Sequence, residues 1–285
     1  MEKKLLVTGA NGQLGREISN MYEARDGVEV IRTDVAELDI TNVEDTLKFV
    51  KEVKPYAIIN CAAHTAVDKC ETDVDNAYKI NAIGPRNLSI AATETDSKLV
   101  HISTDYVFEG NGTKPYTEFD ATNPQGMYGK TKLAGEKFVE QFAKNYFIIR
   151  TAWLYGDGKN FVKTMLNAAK TKDVVSVVGD QLGSPTSTKV LAGIIETLLW
   201  TDNYGLFHGT CEGVCSWAEF TKEFYKLTGT TTEVKTITSD EYPTPTKRPA
   251  YSVLDNYMLK LTTDHVAADW HDAIAQYIEE GWHLK

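Results

Sequence analysis

Two stretches of this chain place a tyrosine and a lysine four residues apart: "YGKTK", Tyr128 to Lys132, and "YGDGK", Tyr155 to Lys159. A phenol can donate a proton to a carbonyl under reduction, and a nearby ammonium favours the phenolate left behind. The pair can cooperate on a helix, where positions i and i+4 share a face. Spacing alone does not choose between them. With 14 tyrosines and 24 lysines in 285 residues, about one such pair arises by chance. The flanking residues separate the two. Leu133, Phe138, Val139 and Phe142 follow the first pair at helical spacing, whereas Gly156 and Gly158 make the second a loop. Tyr128 and Lys132 are therefore the candidate catalytic pair. The bland alternative is a Lys132–Glu136 pair on a solvated helix face.

A second constellation is "VTGANGQLGRE", with Gly9, Gly12 and Gly15 in the pattern G-x-x-G-x-x-G between a strand and a helix. In that context the first glycine allows the turn and the second lets backbone N–H groups approach a pyrophosphate. The third lets the helix pack on the sheet, and the helix N-terminus favours the anion. An acidic residue about 20 positions on is expected at the adenosine ribose. Asp34 stands there, at the end of the second strand, and Arg32 could instead meet a 2′-phosphate. NADH and NADPH both stay open. Asp39 in "LDIT" is close enough to reach the adenine edge, or is a plain loop carboxylate. Ala62 and Ala63 end the third strand with little bulk, leaving room for a ribose. Ser103, Thr104 and Asp105 end the fourth strand, where open α/β sheets bind their ligands.

These groups need a scaffold, and the chain spells one. "KLLVTG" (4–9), "VEVIRTD" (28–34), "AIINCAA" (57–63), "KLVHIST" (98–104) and "YFIIRTAW" (146–153) read as strands, the last three of them continuous apolar runs of the kind buried on both faces of a parallel sheet. Helical patterns lie between them. "TNVE" (41–44) matches a capping box with Thr41 as N-cap, opening a helix that Pro55 stops near Val53. Alternation of this kind specifies right-handed crossovers and an α/β, doubly wound, Rossmann-type sheet. Beyond residue 150 the pattern loosens: "VVSVVGD" (174–180) is a strand candidate, 188–200 and 216–229 are helices, and 239–252, with three of the eight prolines, is an extended loop. The expected division is a dinucleotide-binding domain over 1–150 and a smaller, interleaved, mainly substrate-binding lobe over 151–285.

Bulk properties narrow the class. A net charge of −10 argues against a nucleic-acid partner. The N-terminal apolar run spans three residues, too short for a signal peptide, and no stretch approaches the roughly 18 apolar residues of a membrane span. A cytoplasmic protein with no membrane partner is expected. Cys61, Cys70, Cys211 and Cys215 lack zinc spacing and read as reduced thiols.

The glycine turn, the Ser/Thr at the end of the fourth strand and the Tyr-x-x-x-Lys on the next helix together resemble an extended short-chain dehydrogenase/reductase. More narrowly, "GANGQLG", "NCAAHTAVDKCE" (60–71), "STDYVF", "YGKTKLAGE", "RTAWLYG" (150–156), "DQLGSPTS" (180–187) and "YPTPTKRP" (242–249) resemble, in order and over nearly the whole chain, the dTDP-4-dehydrorhamnose reductase family. The resemblance implies reduction by NADPH or NADH of the 4-keto group of dTDP-4-dehydro-β-L-rhamnose, a dTDP-4-dehydro-6-deoxy sugar, to give dTDP-L-rhamnose. Tyr128 would donate the proton, Lys132 would lower the phenol's pKa and hold the nicotinamide ribose, and Thr104 would bond the reacting sugar oxygen. Carried over by residue, Gly12, Gln13, Leu14, Asp34, Asp39, Ile40, Ala63, His64 and Thr65 would touch the cofactor, with His64 taking no part in proton transfer. Thr104, Asp105 and Trp153 would touch the nucleotide sugar, and Arg248 is a candidate diphosphate partner. Some members of the family dimerise around Mg²⁺ held by glutamates. Glu17 matches one such position but Lys189 stands where another carboxylate would be, so no metal is expected and a homodimer stays open. The alternatives are a nucleotide-sugar epimerase or dehydratase on the same scaffold, or a non-catalytic regulatory subunit.

Overall fold

The computed structural model describes residues 2–284. Strands β1 (Lys3–Thr8), β2 (Val28–Thr33), β3 (Ala57–Asn60), β4 (Lys98–Thr104) and β5 (Tyr146–Thr151) form a parallel sheet. A sixth strand, Gly205–His208, joins it beside β5. From one edge the order is β2, β1, β3, β4, β5 and Gly205–His208. The direction of winding reverses between β1 and β3, where such sheets open a crevice at their carboxyl ends.

The continuous apolar runs follow from this architecture. Side chains alternate between the faces of a strand, and here both faces are covered. Leu5 and Val7 enter one core cluster while Leu6 enters the other, and Ile59 and Ile58 divide in the same way. Helices α1 (Gln13–Glu23) and Thr188–Leu199 cover the first face. Helices α2 (Val43–Val53), Gly84–Glu94 and Met127–Phe142 pack in series over the second. Burying each of these aliphatic side chains stabilises the fold by about 1.5–3 kcal/mol.

Some boundaries differ from the expected ones for local reasons. The cap of α2 is Asn42, whose side chain accepts from the amides of Glu44 and Asp45. Thr41 bonds back to Asp39 instead, so the capping-box reading placed the helix start one residue early. β3 ends at Asn60 because that side chain ties three strands together. Its amide oxygen accepts from the Thr8 hydroxyl at 2.7 Å and from the Ala62 amide at 3.2 Å, and its nitrogen meets His101 at 3.0 Å. The chain then leaves the sheet through Cys61–Thr65.

In the second half, strands Val174–Val178 and Glu233–Ile237 pair in parallel. Helices Phe161–Ala169, Trp217–Thr228 and Trp270–Glu279 close on an aromatic core that includes Phe220, Phe224, Trp270 and Tyr277. A capping box, Ser216 with Glu219, starts the second of these helices, and Gly229 at φ +67° ends it. Among the described residues no helix is long and apolar enough to cross a membrane. The four cysteines are free thiols.

Candidate active site

The carboxyl ends of the central strands open into a cavity of about 960 Å³ that extends to the C-terminal lobe. Its floor is the glycine turn. Gly9 has φ +63°, and a Cβ there would lie 2.7 Å from the Ala62 backbone. A Cβ on Gly15 would lie 2.2 Å from the Gly9 carbonyl oxygen. Neither position admits another residue. α1 starts after Gly12 with no side-chain cap and no acid in its first turn, so its leading N–H groups stay open. Gly12, Gln13, Leu14 and Gly15 line the cavity there. Open N–H groups, a helix dipole and no side-chain bulk make a cradle that fits a dinucleotide pyrophosphate. Gln13 also anchors the far wall, its side-chain oxygen accepting from the Gly156 amide at 2.9 Å.

Around the expected ribose and adenine region, Asp34 accepts from the amides of Asn11 at 3.1 Å and Val35 at 2.8 Å, which fixes its carboxylate beside the turn. Arg32 is turned away, with bonds to Glu23 at 2.6 and 2.7 Å and to Asn20 at 2.9 Å. Asp39 closes its own loop onto Thr41, and the Ile40 side chain is buried in the core. The His64 ring is tucked between Cys70 at 3.5 Å and Asp73 at 3.4 Å. The His64 peptide is gripped at both ends by Asn81, which donates to its oxygen at 3.1 Å and accepts from its amide at 2.8 Å. Asn81 lies in a π-turn, Lys79–Ile83, and also reaches Thr131 at 3.1 Å.

The candidate reaction groups meet where β4 ends. Thr104 donates to Asp105 at 2.8 Å, and Tyr128 sits edge-on to Tyr106 with ring centres 5.3 Å apart. Burial pushes the Tyr128 phenol above its usual range, and the Thr104 hydroxyl beside it pulls the other way. Lys132 is buried and donates to the Ile102 carbonyl at 2.5 Å. Burial draws its pKa down to about 8, opposed by the charge of Glu136 and by Cys61. The helix brings the two residues to one cavity, where the Lys132 ammonium is held by the β4 backbone and burial keeps the phenol protonated at neutral pH.

The solvated Lys132–Glu136 pair is also excluded, since Glu136 is 0% exposed. It takes a two-pronged bond from Arg150, at 2.9 and 2.6 Å, and one from Ser103. This buried pair locks the helix Met127–Phe142 onto β4 and β5.

Asp105 is buried too, and burial pushes its pKa up to about 6, with Ser252 and Thr104 lowering it. Its Oδ2 has no hydrogen-bond partner among the described residues. Asp105 lines the cavity, and an unsatisfied buried oxygen in such a residue calls for a partner. Trp153 adopts φ +50°, a conformation rare for a bulky side chain. Its ring stacks on Trp217 with centres 3.6 Å apart, and a Cβ on Gly183 would strike it at 2.4 Å. The strained backbone thus turns the indole into the cavity wall instead of the core. Arg248 lines the same cavity and bonds Asp68 at 2.7 Å.

Of the residues singled out from sequence, Gly12, Gln13, Leu14, Gly15, Ala63, Thr65, Thr104, Asp105, Tyr128, Lys132, Trp153 and Arg248 line the cavity together. Gly9 and Ala62 lie beneath the turn, while Asp34, Asp39, Ile40 and His64 stand outside that lining. At the Glu17 position, Thr188 donates to the carboxylate at 3.3 Å and Lys189 pairs with Glu280. Arg150, Asn81, Asp68, Glu71 and Trp217 are functional residues with no signal in the local sequence, whereas Glu136, expected only as a solvated partner of Lys132, is buried against Arg150.

The chain is similar to known proteins over nearly its whole length. The family model described as the RmlD substrate binding domain matches residues 3–282. The spore coat polysaccharide biosynthesis protein SpsK of Bacillus subtilis is 40% identical over 281 residues, 97% of each chain. The dTDP-4-dehydrorhamnose reductase of Aggregatibacter actinomycetemcomitans is 39% identical over 284 residues, 95% of this chain and 97% of its own. Among solved structures, a dTDP-4-dehydrorhamnose reductase from Clostridium acetobutylicum superposes with a TM-score of 0.96 at 56% identity, covering 97% of this chain and 99% of that one. The Bacillus anthracis dTDP-4-dehydrorhamnose reductase in complex with NADP gives 0.95 at 40% identity, covering 98% and 100%.

Proposed function

The chain belongs to the family of the RmlD substrate binding domain, and we propose that it is an oxidoreductase that reduces the 4-keto group of dTDP-4-dehydro-β-L-rhamnose to give dTDP-L-rhamnose, with NADPH or NADH. The observation that carries this reading is the cavity in which a protonated Tyr128, the Thr104 hydroxyl and the open glycine turn share one space. A bound reduced nicotinamide supplies the hydride to C4 of the sugar.

The chain's own groups handle the charge that then develops on the C4 oxygen. Tyr128 holds its proton at neutral pH and gives it to that oxygen. Thr104 orients the same oxygen by turning its single O–H from Asp105 toward it, since the C4 oxygen can only accept and a hydroxyl has one proton to donate. Lys132, kept charged by Glu136 despite its burial, stabilises the phenolate and holds the nicotinamide ribose. Gly12, Gln13 and Leu14 receive the pyrophosphate, and Asp34 the adenosine ribose. The Trp153–Trp217 wall and the unsatisfied Asp105 oxygen receive the sugar, with Arg248 at the diphosphate. Residues 1–150 form the cofactor domain in this reading and 151–285 mainly the substrate lobe, with a cytoplasmic location and a dTDP-sugar as the partner molecule.

The test is loss of reduced-nicotinamide absorbance with dTDP-4-dehydro-β-L-rhamnose, for the wild type against Tyr128→Phe. Turnover in the wild type that disappears in the variant is expected. Turnover that survives the substitution would remove Tyr128 as proton donor, and none with either cofactor would overturn the reductase reading.

A further inference from the structure

The helix that carries Tyr128 and Lys132 has an unusual start. Met127–Phe142 begins after Gly126, with no side-chain cap of its own and no acid in its first turn. The cap comes from elsewhere. Glu71 accepts from the Met127 amide at 2.8 Å, across 56 residues of chain. A Cβ on Gly126 would lie 2.9 Å from the Glu71 carboxylate and 3.0 Å from Thr246, so the borrowed cap fills the space a local one would use.

Three residues before Glu71, Asp68 makes a matching pair of contacts to the other wall. One oxygen accepts from Arg248 at 2.7 Å and the other from the Thr246 amide at 3.2 Å. Both acids sit at the short helix Val67–Cys70, which directly follows the cavity residues Ala63 and Thr65. One segment therefore touches the cofactor side, the helix bearing the phenol and the loop bearing Arg248.

We infer that Asp68 and Glu71 form a bracket that positions Tyr128 and Arg248 relative to the bound cofactor. Both are positioning residues, since neither is among the groups assigned to proton transfer or ligand binding. A carboxylate at a helix N-terminus satisfies an orphan amide and complements the dipole, so it fixes the first turn. Tyr128 is the second residue of that turn, and its phenol moves with it. Displacement of a reacting group by about 1 Å can lower a rate by about 100-fold. The inference rests on the reductase reading for its kinetic arm only.

The test combines steady-state kinetics, NADH binding by fluorescence and hydrogen exchange at the Met127 amide. Glu71→Ala should lower kcat by about 10- to 100-fold with NADH affinity nearly unchanged, and should expose the Met127 amide to exchange. Glu71→Gln keeps an acceptor and should recover most of both. Asp68→Asn should instead raise KM for the nucleotide sugar with kcat largely kept. If Glu71→Ala does not fold, Glu71→Asp decides, being one methylene too short to reach: a lowered kcat supports the bracket and an unchanged kcat overturns it. Equal damage from Glu71→Gln and Glu71→Ala would also overturn it. A wild type without turnover would fail the reductase reading, yet unaltered Met127 protection in Glu71→Ala would still overturn the bracket by itself.

Discussion

The two Tyr-x-x-x-Lys stretches share one spacing and have opposite fates. Tyr128 and Lys132 stand in the first two turns of a helix at the carboxyl edge of the sheet, and both line the cavity. Tyr155 lies on a two-residue strand and is 1% exposed, packed against Phe220 and, at 5.2 Å between ring centres, Tyr277. Burial holds both phenols above their usual range, with Cys211, Tyr277 and Cys215 adding to it at Tyr155. A raised phenol pKa is thus no mark of a catalytic tyrosine. Access to a hydroxyl partner and to an open cavity distinguishes the pair.

The sharpest way to break this contrast is to remove each phenol oxygen. Tyr128→Phe should lower kcat by two to four orders of magnitude, roughly what general-acid catalysis contributes. Tyr155→Phe should leave kcat unchanged and stability equal or slightly higher, because that hydroxyl finds no partner among the described residues. Kinetics and thermal melts of both variants read this directly.

The support under the first pair should be the next most sensitive feature. Glu136→Ala leaves the buried Arg150 guanidinium without its partner and should destabilise the fold by about 3–5 kcal/mol in denaturant unfolding. The loop at 155–159 is held differently, by the part-buried Asp157–Arg16 pair and by Asn160 and Tyr277, which both donate to the Gly156 carbonyl.

Asp105 tests the site's internal strain. Its folded pKa of about 6 stands above the ordinary 3.8, so the folded state binds more protons than the unfolded one between those values. Stability must then fall as pH rises through that window. At neutral pH the loss is up to about 3 kcal/mol, so Asp105→Asn should raise Tm while weakening sugar binding.

Lys132 gives the smallest effect. With its pKa drawn down to about 8, the ammonium is lost as pH rises through that value. The pH profile of kcat/KM should fall above about 8, approaching tenfold per unit. Glu136→Gln should move that limb to lower pH, since the Glu136 charge is what raises the Lys132 pKa.

Much of the molecule is legible in the sequence by itself. Continuous apolar runs announced strands covered on both faces, and glycines spaced by three announced the turn that Gly9 and Gly15 alone can make. Local periodicity also chose Tyr128 over Tyr155. These signals are short-range: each depends on backbone conformation and on side chains a few residues apart.

What the tertiary structure decided involves charges and contacts across long stretches of chain. The Lys132 ammonium goes to the Ile102 carbonyl, Glu136 is buried against Arg150, and Asp68 reaches Arg248 across 180 residues. A carboxylate shows no periodicity that reveals its partner, and whether it is solvated or paired depends on which distant segments enclose it. Trp153 carries the same lesson. Its left-handed backbone has no signature in "RTAWLYG", because the indole is held by Gly183 and Trp217, far along the chain. The sequence determined which elements form and where the crevice opens. Only packing fixed the direction of each polar group within it, since burial penalises every charge that the fold does not pair.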